Sequence, residues 1–562
     1  TKRECFVAVI ESGTIDAFGF LKQDYLIVDS IGLTYEIYRE IGMEPMTVNQ
    51  LLDTIENDEK TWNIYKQGLT MCVNQCEQPK STQKVMAYAP TNISELTQFI
   101  AGIRPSFKSM YKKFENREHF EYGIKALDSL IQDAYCESSF ILYQEHLMKV
   151  LGFAHFPMGD TYTIIKAISK KKEDKIKKAK EKFVPQFARS IIETGETDSE
   201  EVALELAEKV WGIVEDSAQY GFNSAHAYCM AVDSVTLAWQ KAHYPLEFYK
   251  VALQWYTNKG NKDKVAKLKK EMTKRGFVLN PIKFGDDNRE FAIDKENNYI
   301  TQTMSSIKNM QKIVPDIMYE LGLNKPNQLF KVFKDIKGTK INKASLDILI
   351  KLDYFREYGT IPYIRTQLKI YEEMATIVER FRTCKQLKKS ECEALGIDVA
   401  DVEPYCDTVT PKMLKDIHND KLMVVFQKYY SKILEDISSK YEYEEIENID
   451  KMSYQAELMG YVDIVDPSIP DDIYIVESKE VNKYGTTFIS IYQACSGDEM
   501  DSIKVNKKWY SDYPCVEGNI LRCAFEDKEK TYMEEDENGK KIWIPTGEFE
   551  KTLKCYSIID TI

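Results

Sequence analysis

The spacing of hydrophobic positions along the chain predicts a mainly helical protein that ends in a β-rich segment. Between about residues 31 and 255, apolar residues recur every three or four positions, as in ALELAEKVWGIVEDSA, which is typical of amphipathic helices. A second helical block runs from about 256 to 385 and contains one strand-like stretch, REFAIDKENNYITQT. From about 451 onward, polar turns separate the runs IYIVESKEV, TTFISIYQA, SIKVNKKWY, GNILRCAFE and KTLKCYSIID. About five such strands predict a small barrel of the OB-fold type.

Composition is that of a soluble globular protein. Hydrophobic residues make up 43% of the chain and charged residues 29%, far from the disordered regime. No apolar run reaches the roughly 18 residues that a membrane-spanning helix needs. The 12 cysteines lack the spacing of a disulfide framework or a zinc site, so we expect reduced thiols and a cytoplasmic location.

Charge is unevenly distributed. The net charge of −14 argues against a protein that coats nucleic acid with its whole surface. Residues 166–182, however, contain nine lysines against three acidic residues, whereas 526–548 is rich in Glu and Asp. An acidic protein with this distribution can still hold a basic cleft.

Two short segments near the start of the chain carry candidate catalytic chemistry. Residues 21–33, LKQDYLIVDSIGL, contain Lys22 and Asp24 after a strand-like stretch. Phosphoryl transfer needs carboxylates that hold divalent metal ions, although one aspartate alone is more often a surface residue. In GIRPSF, residues 102–107, Arg104 is either a phosphate ligand or an ordinary surface arginine at a helix break.

A third segment combines an aromatic–amide pair with a lysine-rich helix. The run FILYQEHLMKVLGF contains Tyr143 and Gln144, and MGDTYTIIKAISKKK follows with Lys166, Lys170 and Lys171. Such a cationic face can neutralise a triphosphate, or it can simply be a solvated helix surface.

A fourth segment, residues 217–249, has the sequence SAQYGFNSAHAYCMAVDSVTLAWQKAHYPLEFY. A glycine permits close backbone approach, and aromatic and polar side chains beside it can hold a base and a sugar. The alternative is that its histidine is a core residue. The candidate nucleotide-binding residues here are Tyr220, Gly221, Phe222, Asn223 and His226.

In this order, the four segments resemble the alpha subunit of bacterial DNA polymerase III, a C-family replicative polymerase. The resemblance implies that Asp24, with Lys22 nearby, supports a metal site, and that His226 lies near the sugar of the incoming nucleotide. It also implies that Arg104 and the lysines at 166, 170 and 171 neutralise the triphosphate. The sequence departs from the family where paired arginines are replaced by Ile165 and Lys166.

The resemblance predicts a multidomain α+β protein with a mostly helical body and a C-terminal OB-fold. The predicted domains are the end of the palm at 1–30, the fingers at 31–255, a helix-hairpin-helix-like or clamp-binding-like helical domain at 256–385, a helical linker or accessory module at 386–450 and an OB-fold domain at 451–562. In the third domain, SSIKNM at 305–310 lacks the glycines of the family's phosphate-binding turn, and QLFKVF at 328–333 is a faint candidate for binding a sliding clamp.

The OB-fold would bind single-stranded template DNA through aromatic and cationic side chains. The residues predicted to do so are Lys507, Lys508 and Trp509, and further aromatics in the same domain are Tyr484, Phe488, Tyr492 and Tyr510.

The predicted activity is DNA-directed DNA synthesis, in which deoxynucleotides are added to a primer 3′ end with two Mg²⁺ ions. Two further palm aspartates would come from a second chain carrying the PHP, palm and thumb domains, so we expect this chain to be inactive alone. Such a divided polymerase fits a phage as well as a bacterial cell. The alternative is a non-catalytic, polymerase-like DNA-binding scaffold.

Overall fold

The computed structural model describes residues 18, 28–103, 108–132, 137–218, 221–324, 326, 329–382, 446–483, 485–535 and 541–559. The chain divides into two compact units, residues 1–248 and 249–562. No helix in these described ranges is both long and apolar enough to cross a membrane. The predicted extended start up to residue 27 and most of the predicted linker at 386–450 lie outside the described residues.

The described part of the first unit is helical, and its last helix continues across the boundary. The helices are α1 Asp29–Ile41, α2 Val48–Ile55, α3 Glu59–Lys66, α4 Pro79–Tyr88, α5 Ile93–Gly102, α6 Lys108–Glu115, α7 Lys125–Ile131, α8 Gln144–Phe153, α9 Met158–Ser169, α10 Glu173–Glu193, α11 Glu200–Ala218, α12 Ser224–His243 and α13 Pro245–Asn258.

Polar residues at the helix starts explain several of these boundaries. Before α2, the Thr47 hydroxyl accepts a hydrogen bond from the Gln50 backbone N–H, and the Gln50 side chain accepts one from the Thr47 N–H. Before α5, Asn92 Oδ1 accepts from the Glu95 N–H at 2.9 Å. These side chains satisfy backbone groups that a helix end leaves unpaired, so each helix begins at a defined residue.

Two hydrophobic cores hold the first unit together. Helices α7 to α11 surround Trp211, whose ring lies 5.1 Å from that of Phe183. Helices α1 to α6 pack with α12 around a second set of apolar side chains. The segment before α8 serves both cores, because Ile141 belongs to the first and Leu142 to the second. This segment therefore lies where the two halves of the unit meet.

A buried lysine fixes the end of α12. Lys241 is fully buried, and its ammonium group donates to the carbonyl oxygens of Leu69, at 2.8 Å, and Met71. It also lies 4.8 Å from the centroid of the Phe248 ring. A buried charge is costly unless polar groups surround it, so these carbonyls hold α12 in a fixed position against the turn at 69–71.

A half-buried carboxyl joins the first turn of α1 to the middle of α12. Asp233 Oδ2 accepts hydrogen bonds from Ser30 Oγ at 2.5 Å and from Asn74 Nδ2 at 2.6 Å. Burial raises the pKa of Asp233, and these two donors oppose that rise. The chain that follows the predicted palm segment is thus attached to α12.

The second unit contains a helical part and a β-rich part. Its further helices are α14 Lys262–Lys274, α15 Val314–Leu323, α16 Leu329–Lys337, α17 Lys343–Lys351, α18 Ile361–Arg382, α19 Asn448–Met459 and α20 Lys507–Asp512. Its strands are β1 Val278–Asn280, β2 Ala292–Asp294, β3 Tyr299–Thr301, β4 Ile473–Val481, β5 Thr487–Gln493, β6 Glu499–Lys504, β7 Ile520–Glu535 and β8 Lys541–Ile559.

The strands form two sheets. The small sheet has the order β1-β3-β2, with β1 parallel and β2 antiparallel to β3, so the strand-like stretch within the helical block forms β2 and β3. The larger sheet has the order β6-β5-β4-β7-β8, and all its neighbours are antiparallel. Edge strands β6 and β8 lie near each other, but no hydrogen-bonded pairing joins them in the described residues, so barrel closure stays a prediction.

One predicted strand is partly a helix. The run SIKVNKKWY was expected to be β-rich, yet β6 ends at Lys504 and α20 begins at Lys507. The cause is Asn506, whose side chain accepts hydrogen bonds from the backbone N–H groups of Lys508 and Trp509. The predicted DNA-binding residues Lys507, Lys508 and Trp509 therefore lie on a short helix and not on a strand.

Candidate functional site

Two segments that are far apart in the sequence run side by side just before α8 and α12. Tyr143 and Phe222 form an isolated parallel bridge. The Gln144 N–H donates to the Phe222 carbonyl at 2.9 Å, and the Phe222 N–H donates to the Leu142 carbonyl at 3.1 Å. This α8–α12 junction, residues 142–146 and 221–226, brings together six of the predicted nucleotide-binding residues, namely Tyr143, Gln144, Gly221, Phe222, Asn223 and His226.

The close approach of the two segments at this junction leaves no room for a side chain at Gly221. A Cβ atom at this position would lie 3.2 Å from Gln144 Cγ and 3.3 Å from both Gln144 Cα and the Gln144 backbone nitrogen. Two of these neighbours belong to the backbone that forms the bridge. A side chain could therefore be accommodated only by moving the paired segments apart.

We expect Gly221→Ala to destabilise the first unit by about 1–3 kcal/mol, the usual cost of overpacking. The measurement is urea denaturation followed by tryptophan fluorescence. Gly212→Ala, within α11, is the matched control, because a Cβ at Gly212 meets nothing within 4 Å and alanine suits a helix interior. Equal stability of the two variants would contradict the spatial requirement at Gly221.

Asn223 and Glu145 fix the start of α12. Asn223 Oδ1 accepts a hydrogen bond from the His226 N–H at 2.8 Å, and Asn223 Nδ2 donates to Glu145 Oε1 at 2.9 Å. Glu145 Oε2 accepts from the Ser224 N–H at 3.0 Å. A carboxylate at a helix N-terminus is favoured by the helix dipole. The side-chain amide of Asn223 is thus used to cap the helix and to bind Glu145.

His226 lies in the first turn of α12, because the helix begins at Ser224. Its side chain is exposed, and its ring packs edge-on against the half-buried ring of Phe222 at 5.1 Å between centroids. The imidazole is consequently oriented by an aromatic neighbour while it remains accessible. In this position it can exchange a hydrogen bond with a sugar hydroxyl or a phosphate oxygen.

The predicted triphosphate-binding lysines lie on the exposed side of α9. Lys166 and Lys170 are four residues apart and both are exposed. Lys171 follows in the left-handed conformation, with φ of 52°, where the helix ends. On the opposite side, Ile165 and Ile168 are buried in the same core as Leu147 and Leu151 of α8. Helix α8 therefore connects this lysine face to the α8–α12 junction.

Several predicted residues cannot be placed. Lys22, Asp24, Arg104, Tyr220 and Tyr484 lie outside the described residues. Asp24 is the predicted metal ligand. Within the described ranges, no group of three or more His, Cys, Asp or Glu side chains is arranged to hold a metal ion.

The aromatic residues predicted to bind DNA in the second unit have mostly structural surroundings. Trp509 is half-buried and its indole N–H donates to the Tyr556 carbonyl at 3.0 Å, which attaches α20 to β8. Tyr492 is buried, and its hydroxyl donates to the Ile464 carbonyl at 2.8 Å. Phe488 and Tyr510 are half-buried. Lys507 and Lys508 are exposed at the start of α20 and remain available to a ligand.

The role of Glu145 was not predicted from the sequence. A signal was present for its partner, since an asparagine directly before an amphipathic run is typical of a helix cap. No local pattern indicates that a carboxylate 78 residues earlier reaches that cap.

Residues 36–190 match the family of the bacterial DNA polymerase III alpha subunit finger domain. Among curated proteins, the chain is 27% identical to the DNA polymerase III subunit alpha of Aquifex aeolicus over 353 residues, 61% of this chain and 29% of that protein. It is 25% identical to the Bacillus subtilis subunit over 61% of this chain and 30% of that protein. It is also 25% identical to the Thermus aquaticus subunit, over 63% of this chain and 28% of that protein.

These matches confirm the predicted resemblance of the chain to the alpha subunit of bacterial DNA polymerase III. The matched region spans less than a third of the length of each of these relatives.

Proposed function

We propose that this chain supplies the fingers of a C-family DNA polymerase and takes part in adding deoxynucleotides to a primer 3′ end. The observation that carries the proposal is the α8–α12 junction. There, backbone pairing and the Glu145 carboxylate hold Phe222 and His226 in a fixed arrangement beside Tyr143 and Gln144. A prearranged set of donors and aromatic surfaces is what nucleotide positioning requires.

In this proposal each group of residues has a separate task. The exposed lysines at 166, 170 and 171, together with Arg104, neutralise the triphosphate, since preorganised cations stabilise the charge that develops during phosphoryl transfer. His226 and Phe222 position the sugar and the base. Asp24 helps to hold two Mg²⁺ ions, which supply Lewis-acid stabilisation at the reacting phosphate.

The remaining palm ligands belong to the proposal as well. Two further aspartates would come from a second chain that carries the PHP, palm and thumb domains. Primer–template DNA and deoxynucleoside triphosphates are the proposed substrates, and the sheet β4–β8 would act as an OB-fold that binds single-stranded template through Lys507 and Lys508. A sliding clamp is a weaker candidate partner, because Leu329, Val332 and Phe333 of its predicted motif are buried.

A DNA-binding scaffold without catalysis is the second candidate function, and two observations favour it. Ile165, where the family has an arginine, is buried in the core, so this position offers no cation. The polar groups of Asn223 are already used by the His226 N–H and the Glu145 carboxylate. Both features reduce the number of groups that can contact a nucleotide.

Primer extension with Mg²⁺, by this chain together with its candidate partner, distinguishes the two functions. We expect Lys170→Ala/Lys171→Ala to raise the KM for deoxynucleotides at least about tenfold, because each charge-assisted hydrogen bond contributes about 1.5–3 kcal/mol and 1.4 kcal/mol corresponds to a tenfold change. Lys177→Ala/Lys209→Ala is the matched control, since these lysines of α10 and α11 are both exposed and have no predicted role in binding the triphosphate. An unchanged KM, or DNA binding without any extension, would favour the scaffold.

A further inference from the structure

Four cations lie on one face of α10 and have no part in the proposed nucleotide site. Lys175, Lys178, Lys182 and Arg189 follow one another at intervals of three, four and seven residues, which places them on the same side of a helix. All four are exposed, and within the described residues none of them has an ion-pair partner. They are called the basic stripe below.

The basic stripe contrasts with the rest of the protein. The chain as a whole has a net charge of −14, because its 89 acidic residues outnumber its 75 lysines and arginines. Lys180, which lies off the stripe on the same helix, is neutralised by Glu208 at 2.8 Å. A row of unneutralised cations on an acidic protein attracts a polyanion to that face.

The start of α9 lies next to the middle of the basic stripe. The ammonium group of Lys182 is 4.7 Å from the centroid of the ring of Phe156, a buried residue that precedes the N-cap of α9, Pro157. In the first turns of α9, Met158 is 65% exposed and Tyr162 is 49% exposed. The middle of the stripe, at Lys182, therefore contacts the segment that leads into α9, and the first turns of α9 carry two exposed side chains that can pack against a flat ring.

The chemistry of these two features together selects the ligand. A free phosphate or a triphosphate needs only the cations and leaves Met158 and Tyr162 in water. A DNA duplex satisfies the cations as well, but its base faces are stacked inside the helix. A single strand offers both a chain of phosphates and unpaired bases, and proteins that bind it combine a cationic track with aromatic stacking surfaces.

We propose that the basic stripe and Tyr162 form a binding site for single-stranded DNA, in which the stripe contacts successive phosphates and Tyr162 stacks on an unpaired base. The 14 residue-to-residue steps from Lys175 to Arg189 extend over about 21 Å at 1.5 Å per step. At a spacing of about 3.4 Å per nucleotide this length corresponds to roughly six nucleotides. This inference rests on the proposed function only in assigning the strand as the template.

The stripe is tested by the binding of a fluorescent oligothymidylate to the full chain, measured by anisotropy at several salt concentrations. Lys178→Gln/Lys182→Gln should weaken binding and reduce the slope of log K against log salt by about 1.4, since each phosphate contact on a single strand contributes about 0.7. Lys177→Gln is the matched control, because Lys177 is exposed on the same helix but lies off the stripe. It should leave both affinity and slope unchanged.

The stacking role of Tyr162 needs a different probe. Tyr162→Ala should weaken binding of the oligothymidylate about tenfold and leave binding of an abasic oligonucleotide of equal length unchanged, whereas Tyr162→Phe should bind as the wild type does. All measurements are repeated in a Lys507→Gln/Lys508→Gln background, so that binding to the second unit cannot mask the effect.

The outcomes separate this proposal from the polymerase function, because no partner chain, nucleotide or extension is involved. Equal affinities and salt slopes for the stripe variant and Lys177→Gln would overturn the role of the stripe. Equal losses on the normal and abasic oligonucleotides, or an equal loss on duplex DNA, would overturn stacking by Tyr162. A failure of extension with intact oligonucleotide binding would count against the proposed function alone.

Discussion

Alanine in place of Asp24 is expected to reduce primer extension at least about 100-fold at saturating nucleotide. A carboxylate that helps to hold a catalytic metal contributes several kcal/mol of transition-state stabilisation, and each 1.36 kcal/mol corresponds to a tenfold change in rate. The loss should appear in kcat, because the metal stabilises charge that develops during the reaction. The measurement is extension of a labelled primer with Mg²⁺ by this chain together with its candidate partner.

Asp29→Ala provides the control for this experiment. Asp29 is the next aspartate along the chain, it is exposed in the first turn of α1, and its removal changes the net charge equally. It should leave kcat close to the wild-type value, and both variants should still bind primer–template DNA. Extension that persists after Asp24→Ala would exclude Asp24 from the metal site and favour the scaffold function.

Removal of the Glu145 carboxylate is expected to destabilise the first unit by about 3 kcal/mol. Glu145 accepts hydrogen bonds from the Asn223 side chain and the Ser224 N–H. Hydrogen bonds to a charged group contribute about 1.5–3 kcal/mol each, and the lower value applies because Glu145 is only half-buried. Urea denaturation of Glu145→Ala measures the loss.

The same variant should also impair extension, since Phe222 and His226 depend on the start of α12 for their positions. Glu145→Gln retains one acceptor oxygen, so its loss in the free energy of unfolding should be about half of that of Glu145→Ala. Glu205→Ala, at an exposed position of α11, is the control for removal of a surface carboxylate. If Glu145→Ala is as stable as Glu205→Ala, the carboxylate does not anchor the junction.

The sequence predicted the local features of this fold well. The helical spacing between residues 31 and 255 corresponds to α1–α13, and the five β-rich runs correspond to β4–β8. The period of hydrophobic residues carries this information, because it depends on which face of each element is buried. At 505–512 the same reasoning was wrong, since the capping side chain of Asn506 outweighed a β-like composition.

The contacts that build the candidate site could be predicted less well from the sequence. Recognition of the motifs identified Tyr143 and Phe222 as candidates, but periodicity cannot indicate that their backbones form a bridge. For the same reason, the sequence analysis assigned Asn223 a nucleotide-binding role, whereas in the structure its side-chain amide oxygen caps α12. The roles of the remaining candidate residues and the domain boundaries stay predictions.

The environment of Lys241 restricts how this chain can diverge in evolution. Its buried ammonium group donates to the carbonyls of Leu69 and Met71, so replacing the lysine alone would leave two half-buried acceptors without this donor. A related chain without lysine at this position should therefore also have a rebuilt turn at 69–71. The two sites, some 170 residues apart, are expected to covary during descent.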